Sequence, residues 1–288
     1  MTFATALSAN GLVAGSSELA QAPAEHAFIW SSASGIHDIG TLGTGVTSLA
    51  FGVNSRAQVV GWSGVDVADI DVHAFFWSRD DGMVDLGALL GGAFSVAWGI
   101  NESGQVVGQT DHKAFSWTRA GGIVFLPTLG GPSCAAKRIN AAGQIVGWCY
   151  RPDLSLAPVL WNPGQAPIDL GGGQVNGEAR AINDAGQIVG LISFPGNVTH
   201  AMRWTRRDGI RDLGTLGGPS SVATGITGSG EIFGASSIAG SVLVDRAFRL
   251  RPGGSMTNIF PATGYTAIFS VNDALTVAGG TETVTRLR

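Results

Sequence analysis

Lysine is almost missing from this chain, which has two, Lys113 and Lys137, against fifteen arginines; charged residues of all kinds make up only 13% of its 288 positions. With a formal charge of −4 there is no basic field of the kind nucleic acid selects, so no nucleic-acid partner is expected. No apolar run reaches the roughly 18 residues of a membrane helix, and no set of segments alternates in the long, even way of an outer-membrane barrel, so no membrane insertion is expected either. There are only two cysteines, and no zinc spacing, GxSxG, P-loop or HExxH is present. The opening "MTFATALSANGLVAGSSELAQA" has no Lys or Arg, and its apolar stretch is broken by Ser, Asn and Gly, so it is not read as a signal peptide.

Glycine is what the chain has in quantity, at 44 residues, together with repetition. "NAAGQIVG" at 140–147 returns as "NDAGQIVG" at 183–190. The tryptophans of "HAFIW", "HAFFW", "KAFSW", "APVLW" and "HAMRW" are Trp30, Trp77, Trp117, Trp161 and Trp204, spaced by 47, 40, 44 and 43 residues. Fainter copies place Leu250 and Leu287 in the same register, making seven. Each copy reads "A-x-G-I-N", a turn, "GQVVG", a variable loop, "HAFxW", a short turn and "DLGTLGG". β-Branched and aromatic residues with Gly or Asn punctuation give four short strands per copy and no sustained helical period.

An all-β fold follows, a β-propeller of seven blades of about 40–47 residues, the size of one propeller blade. Six full blades plus a terminal closing segment is the alternative count. The expected domain is one propeller over 1–288, with repeats near 2–48, 49–95, 96–133, 134–178, 179–221, 222–265 and 266–288. The last has three strands, which leaves a monomer or a dimer paired through that edge.

In "N-x-x-G" the Asn side chain can bond the backbone two residues on while the Gly takes a left-handed conformation. Ala57 and Leu275 stand where Gly is expected, so those two turns should be strained or differently shaped. Trp in register five times reads as packing between blades.

The combination of "IN…GQVVG", "HAF.W" and "DLGTLGG" resembles the bacterial HAF-repeat proteins over essentially the whole chain. That resemblance implies an extracellular or periplasmic repeat protein and brings no catalytic residues with it. "APVLW" departs from it by losing the His-Ala-Phe, and the last two copies lose the Trp.

Residues that vary among the copies are the candidates for function. The "x" of "A-x-G-I-N" is Thr5, Phe51, Trp98, Lys137, Arg180, Thr224 and Phe269. On an innermost strand these would ring the channel mouth, with an aromatic arc (Phe269, Phe51, Trp98) followed by a cationic arc (Lys137, Arg180). Aromatic faces suit sugar rings, and the cations suit a carboxylate or phosphate. Pointing into blade interfaces is the bland alternative. Trp62 and Trp148, with Arg151 and Asp153, could flank a second groove along the variable loops.

His26 with Asp38, His73 with Asp85 and His200 with Asp212 lie twelve apart, opposite one another across a hairpin. Three copies far apart favour a structural pair over part of a triad. His37 reads as an exposed turn residue. Asp66, Asp69, Asp71 and His73 share one loop whose oxygens could hold calcium, though the spacing fits no established loop; no other cofactor is indicated. Cys134 and Cys149 lie symmetrically about the turn at 140–143 and would be cross-strand neighbours in an unbulged hairpin, so a disulfide and free thiols both stay open. The expected function is a binding or interaction module for a glycan or small anionic ligand, or for another protein. The alternative is a hydrolase or lyase using the same region.

Overall fold

The computed structural model describes residues 2–19, 24–196, 198–240, 245–259, 268–279 and 285–286. Leu287 lies outside them. Among the described residues the chain forms seven small antiparallel sheets in sequence order, six of four strands and a last one of three, in a propeller-like arrangement. Sheet 1 runs Thr2–Leu7, Val13–Glu18, Glu25–Ser31, Gly35–Asp38; sheet 4 runs Cys134–Ile139, Ile145–Tyr150, Leu156–Trp161, Ile168–Asp169. The other first strands are Ser48–Val53, Ser95–Ile100, Asn176–Ile182, Gly217–Ile226 and Ile268–Val271. A single helical turn, Gly87–Leu90, follows the second "DLG". No helix among the described residues is long and apolar enough to cross a membrane.

The hydrophobic core lies between sheets. Val60, Ala74 and Phe76 of the second sheet pack with Ala97, Phe115 and Trp117 of the third, and Val107 and Ala114 of the third with Ile145, Val159 and Trp161 of the fourth. Each repeated Trp faces the preceding sheet, as packing requires; Trp30 lies with Ala278 of the seventh. The "HAFFW" strand is buried on both faces because a neighbouring sheet covers each side, which is why it lacks the alternation of a half-exposed strand.

The repeated eight residues can now be read in physical terms. Asn140 is buried; its Oδ1 accepts from the Gln144 amide, and its Nδ2 donates across the sheet boundary to the Asn183 carbonyl at 3.1 Å. The same crossing joins Asn54 to Asn101, Asn101 to Asn140, Asn183 to Thr227, and Asn272 of the seventh sheet back to Ser8 of the first. Thus the turn is also a belt. Gly143 takes φ 75° where the chain re-enters the second strand. Ala57 and Leu275 take the same conformation at φ 58° and 56°, so those turns keep the common shape and carry the strain in a residue with a Cβ.

Gly147 has another task. A Cβ there would sit 1.9 Å from the Ala135 carbonyl oxygen, because the facing first strand is bulged. The register of every sheet slips at one shared level, where the residue left out of pairing is Thr5, Phe51, Trp98, Lys137, Arg180, Thr224 or Phe269; the sixth sheet slips a second time, between Gly217 and Ser221. The hairpin is therefore bulged, so the unbulged condition under which the sequence paired the two cysteines is not met. Cys134 and Cys149 are nonetheless direct partners and form a disulfide: the turn closes between Asn140 and Gln144, one residue wider than expected, and the bulge at Lys137 offsets that extra residue.

Candidate functional site: the bowl at the mouth of the bore

A β-bulge re-aims one side chain away from the ladder. Seven bulges at one level of seven neighbouring first strands aim seven side chains at one place, and all seven variable residues line a single cavity of about 550 Å³, joined by Phe3, Leu49, Ser16, Glu25, Arg138 and Glu178. Below it the first strands enclose a narrower bore of about 170 Å³. Phe51, Arg138, Thr224 and Phe269 line both spaces, so bowl and bore are continuous.

Around the bowl the two expected arcs interlock. Phe51 and Trp98 lie 4.6 Å apart between ring centroids, and the Lys137 ammonium sits 3.7 Å over the Trp98 ring. Trp98 is also tethered through Nε1 to Gln109 at 3.0 Å. With Trp98 flanked in this way, the other aromatic rings lining the bowl are those of Phe3, Phe51 and Phe269. Arg180 is likewise no free cation, since its Nε and Nη2 donate to Glu178 at 3.2 and 3.1 Å. Thr5 and Thr224 are occupied in holding neighbouring first strands, through the Ala50 and Ile268 carbonyls.

Burial draws the Lys137 pKa down to about 8; the Glu178 carboxylate opposes that shift, while Arg138 and Arg180 add to it. Arg138 is drawn down to about 10, by burial first and by Arg180 second, and stays charged at neutral pH. Sequence reading missed Arg138. Its position, one after the bulge, is Ala6, Gly52, Gly99, Ala181, Gly225 and Ser270 in the other copies, so a single long cation in a column of small residues was the available signal. Its Nη1 donates to the Trp98 and Lys137 carbonyls at 2.6 and 2.9 Å.

The other candidates lie elsewhere. Trp62 and Trp148 are not in the bowl; Trp148 packs edge-on to Tyr150. Arg151 is corrected from ligand contact to structural tie: it is buried, and its three nitrogens donate to Asp169, Ser155, Asn176 and the Val175 carbonyl. Asp153 accepts from Ser155, which holds its carboxyl below the usual value. Asp66 and Asp69 cap their own surroundings, at Ala68 and Val46, and His73 is committed to Asp85. No group of three or more potential metal ligands occurs among the described residues, so the structure does not gather Asp66, Asp69, Asp71 and His73.

The three His–Asp pairs form, at 3.0, 2.9 and 2.8 Å, in three different sheets. They are diagonal rather than opposite, since Asp38 faces Phe28 and Asp212 faces Met202. Where Ala157 replaces the His, Arg151 reaches the equivalent Asp169; in the third sheet Lys113 lies 4.9 Å over the Phe125 ring instead. One position served by three chemistries is structural cross-linking. His37 is corrected from turn to outer strand, beside Trp77 at 5.9 Å.

No protein-family model and no curated protein matches the chain. Among solved structures it is similar to AofleA from Arthrobotrys oligospora, with 12% identity and a TM-score of 0.46 over 91% of this chain and 88% of that one. A mutant of AofleA with three arginines changed to alanine gives 14% identity and a TM-score of 0.44 over 91% and 87%.

Proposed function

We propose that the chain is a closed seven-bladed propeller that binds a small ring-bearing acid, such as a uronic acid or another acidic sugar, in the bowl at the mouth of its bore. The observation that carries this reading is the convergence of seven bulged residues on one cavity, in copies whose surrounding residues repeat. Within the first strands the framework residues repeat while the side chains aimed at this one cavity differ, which is the pattern of a site specifying what it holds. Phe51 and Phe269 supply apolar faces for a ring, and Lys137 with Arg138 supplies an excess of positive charge over the Glu178–Arg180 pair. The Cys134–Cys149 disulfide supports an oxidising compartment, extracellular or periplasmic.

Calorimetry and thermal shift against neutral sugars, uronic acids and small carboxylates test the reading. A uronic acid is expected to raise the melting temperature, because a ligand held by the native state alone stabilises it. Phe51→Ala is expected to weaken that binding roughly tenfold, the loss of about 1.4 kcal/mol. If no member of the panel shifts the midpoint, the reading falls.

One observation favours a second reading, a lyase. An amine with a pKa near 8, held in a cavity within the field of a carboxylate, is suited to proton abstraction or to Schiff-base formation with a carbonyl substrate. Borohydride trapping of an aldose or keto acid on Lys137, read by mass, is the expected sign; no adduct on wild type leaves binding alone.

A further inference from the structure

We infer that Arg138 is the anchor of the site: the ligand enters acid end first, and its carboxylate is held in the throat between bowl and bore by the Arg138 guanidinium. This deepens the bowl reading and rests on it. Among the described residues Arg138 is the only charged one lining the bore. The wall around it is made of small residues such as Gly52, Gly99 and Gly225 and of the apolar side chains Ile100 and Ile139. Of its three nitrogens only Nη1 has hydrogen-bond partners among the described residues, and both are carbonyls.

A guanidinium presents five N–H donors in a planar fork, so Nε and the outer N–H of Nη2 remain as the edge that a carboxylate meets with two parallel bonds. Among the described residues no carboxylate takes that edge: Glu178 is engaged by Arg180, and Glu25 accepts from Ser16 at 2.6 Å. A cation kept in an apolar throat without a counter-ion is costly unless something else neutralises it, and an anion entering from the bowl does so. The bore's volume of about 170 Å³ has room for a carboxylate and bound water but not for a sugar ring in addition to them, which leaves the ring in the bowl above.

Arg138→Ala is a substitution the fold already accepts, since Ala6 and Ala181 hold the same position in sheets 1 and 5. Arg138→Gln keeps the length without the charge. The first probe is acetate against its neutral isostere acetamide, followed by the Arg side-chain Nε–H resonances in 15N spectra and by melting temperature. Acetate is expected to shift one Arg Nε–H resonance and raise the midpoint of the wild type, with acetamide doing neither and both variants losing the response. Acetate acting equally on Arg138→Ala and wild type overturns the anchor.

The second probe is a uronic acid against the corresponding neutral sugar. Binding of the acid is expected to fall at least thirtyfold in Arg138→Ala and to change far less in Arg180→Ala. If the acid binds Arg138→Ala as it binds wild type, the bowl reading stands and the anchor is wrong. If acetate responds at Arg138 while no sugar of either kind binds, the anchor stands and the ring-bearing ligand is wrong.

Discussion

The first strands carry two rims, and the rims are built by opposite rules. At their C-terminal ends, buried Asn side chains pass one hydrogen bond each from sheet to sheet, and the same residue types recur at 54, 101, 140, 183 and 272. At the bulges a few residues earlier, the seven side chains include two threonines, two phenylalanines, a tryptophan, a lysine and an arginine. Repetition marks the rim that ties sheet to sheet, and variation marks the rim proposed to meet a ligand. Gly147 and its equivalents connect the two rules: the repeated glycine leaves room for the bulge carbonyl, and so permits the variable residue to turn inward.

If that division is right, changes on the repeated side cost stability and changes in the bowl do not. The largest effect is expected from the disulfide that pins the fourth sheet: joining residues 15 apart contributes about 3 kcal/mol in the chain-entropy account, so Cys134→Ala with Cys149→Ala should lower the urea midpoint by that equivalent. Next is Asn140→Ala, which leaves the Asn183 carbonyl and the Gln144 amide without their buried partner and is expected to cost about 2 kcal/mol. Arg180→Ala removes a half-exposed ion pair in the bowl and should cost under about 1 kcal/mol in the same titration. A bowl variant as damaging as Asn140→Ala would break the comparison.

The repeated rim was largely legible in the sequence, because a hairpin turn is local: Asn and Gly three apart state their backbone chemistry without knowledge of neighbours. The belt was not legible, because the Asn Nδ2 donates to another sheet and nothing in "NAAG" says which. In the bowl the seven residues were identifiable as the column that varies, yet their direction was not, since it depends on a bulge that alternation does not reveal. Arg138 shows the same limit: reading one column located the mouth and passed over the neighbouring column where a single cation stands among small residues. The disulfide pairing survived only because the wider turn and the bulge displaced the register in opposite senses.

Lys137 sharpens the comparison through pH. Its folded pKa of about 8 lies below the ordinary lysine value of 10.5, so between those values the unfolded chain binds more protons than the native one. Native stability should therefore rise as pH climbs from about 8 towards 10.5, and Lys137→Met should flatten the rise while stabilising the protein at pH 7. Urea midpoints of both proteins across that range check the sign. A wild-type profile as flat as that of the variant would mean that the Lys137 charge is not opposed by burial in the bowl.

The smallest expected effect is on the repeated side and has the opposite sign to the others there. Ala57 adopts φ 58° where Gly11, Gly104, Gly143, Gly186 and Gly230 stand at φ between 73° and 87° in other copies. A Cβ in the left-handed region costs about 1–2 kcal/mol, and the extra freedom glycine gives the unfolded chain takes back about 0.5–1 kcal/mol of any gain. Ala57→Gly should therefore stabilise by about 0.5–1 kcal/mol. The same change at Gly104 in reverse, Gly104→Ala, should destabilise by a similar amount, because its Cβ would also come within 3.1 Å of Gln58 Oε1. Opposite signs from mirror-image substitutions in two copies of one turn would show that the turns share one backbone state and differ only in how well the residue suits it.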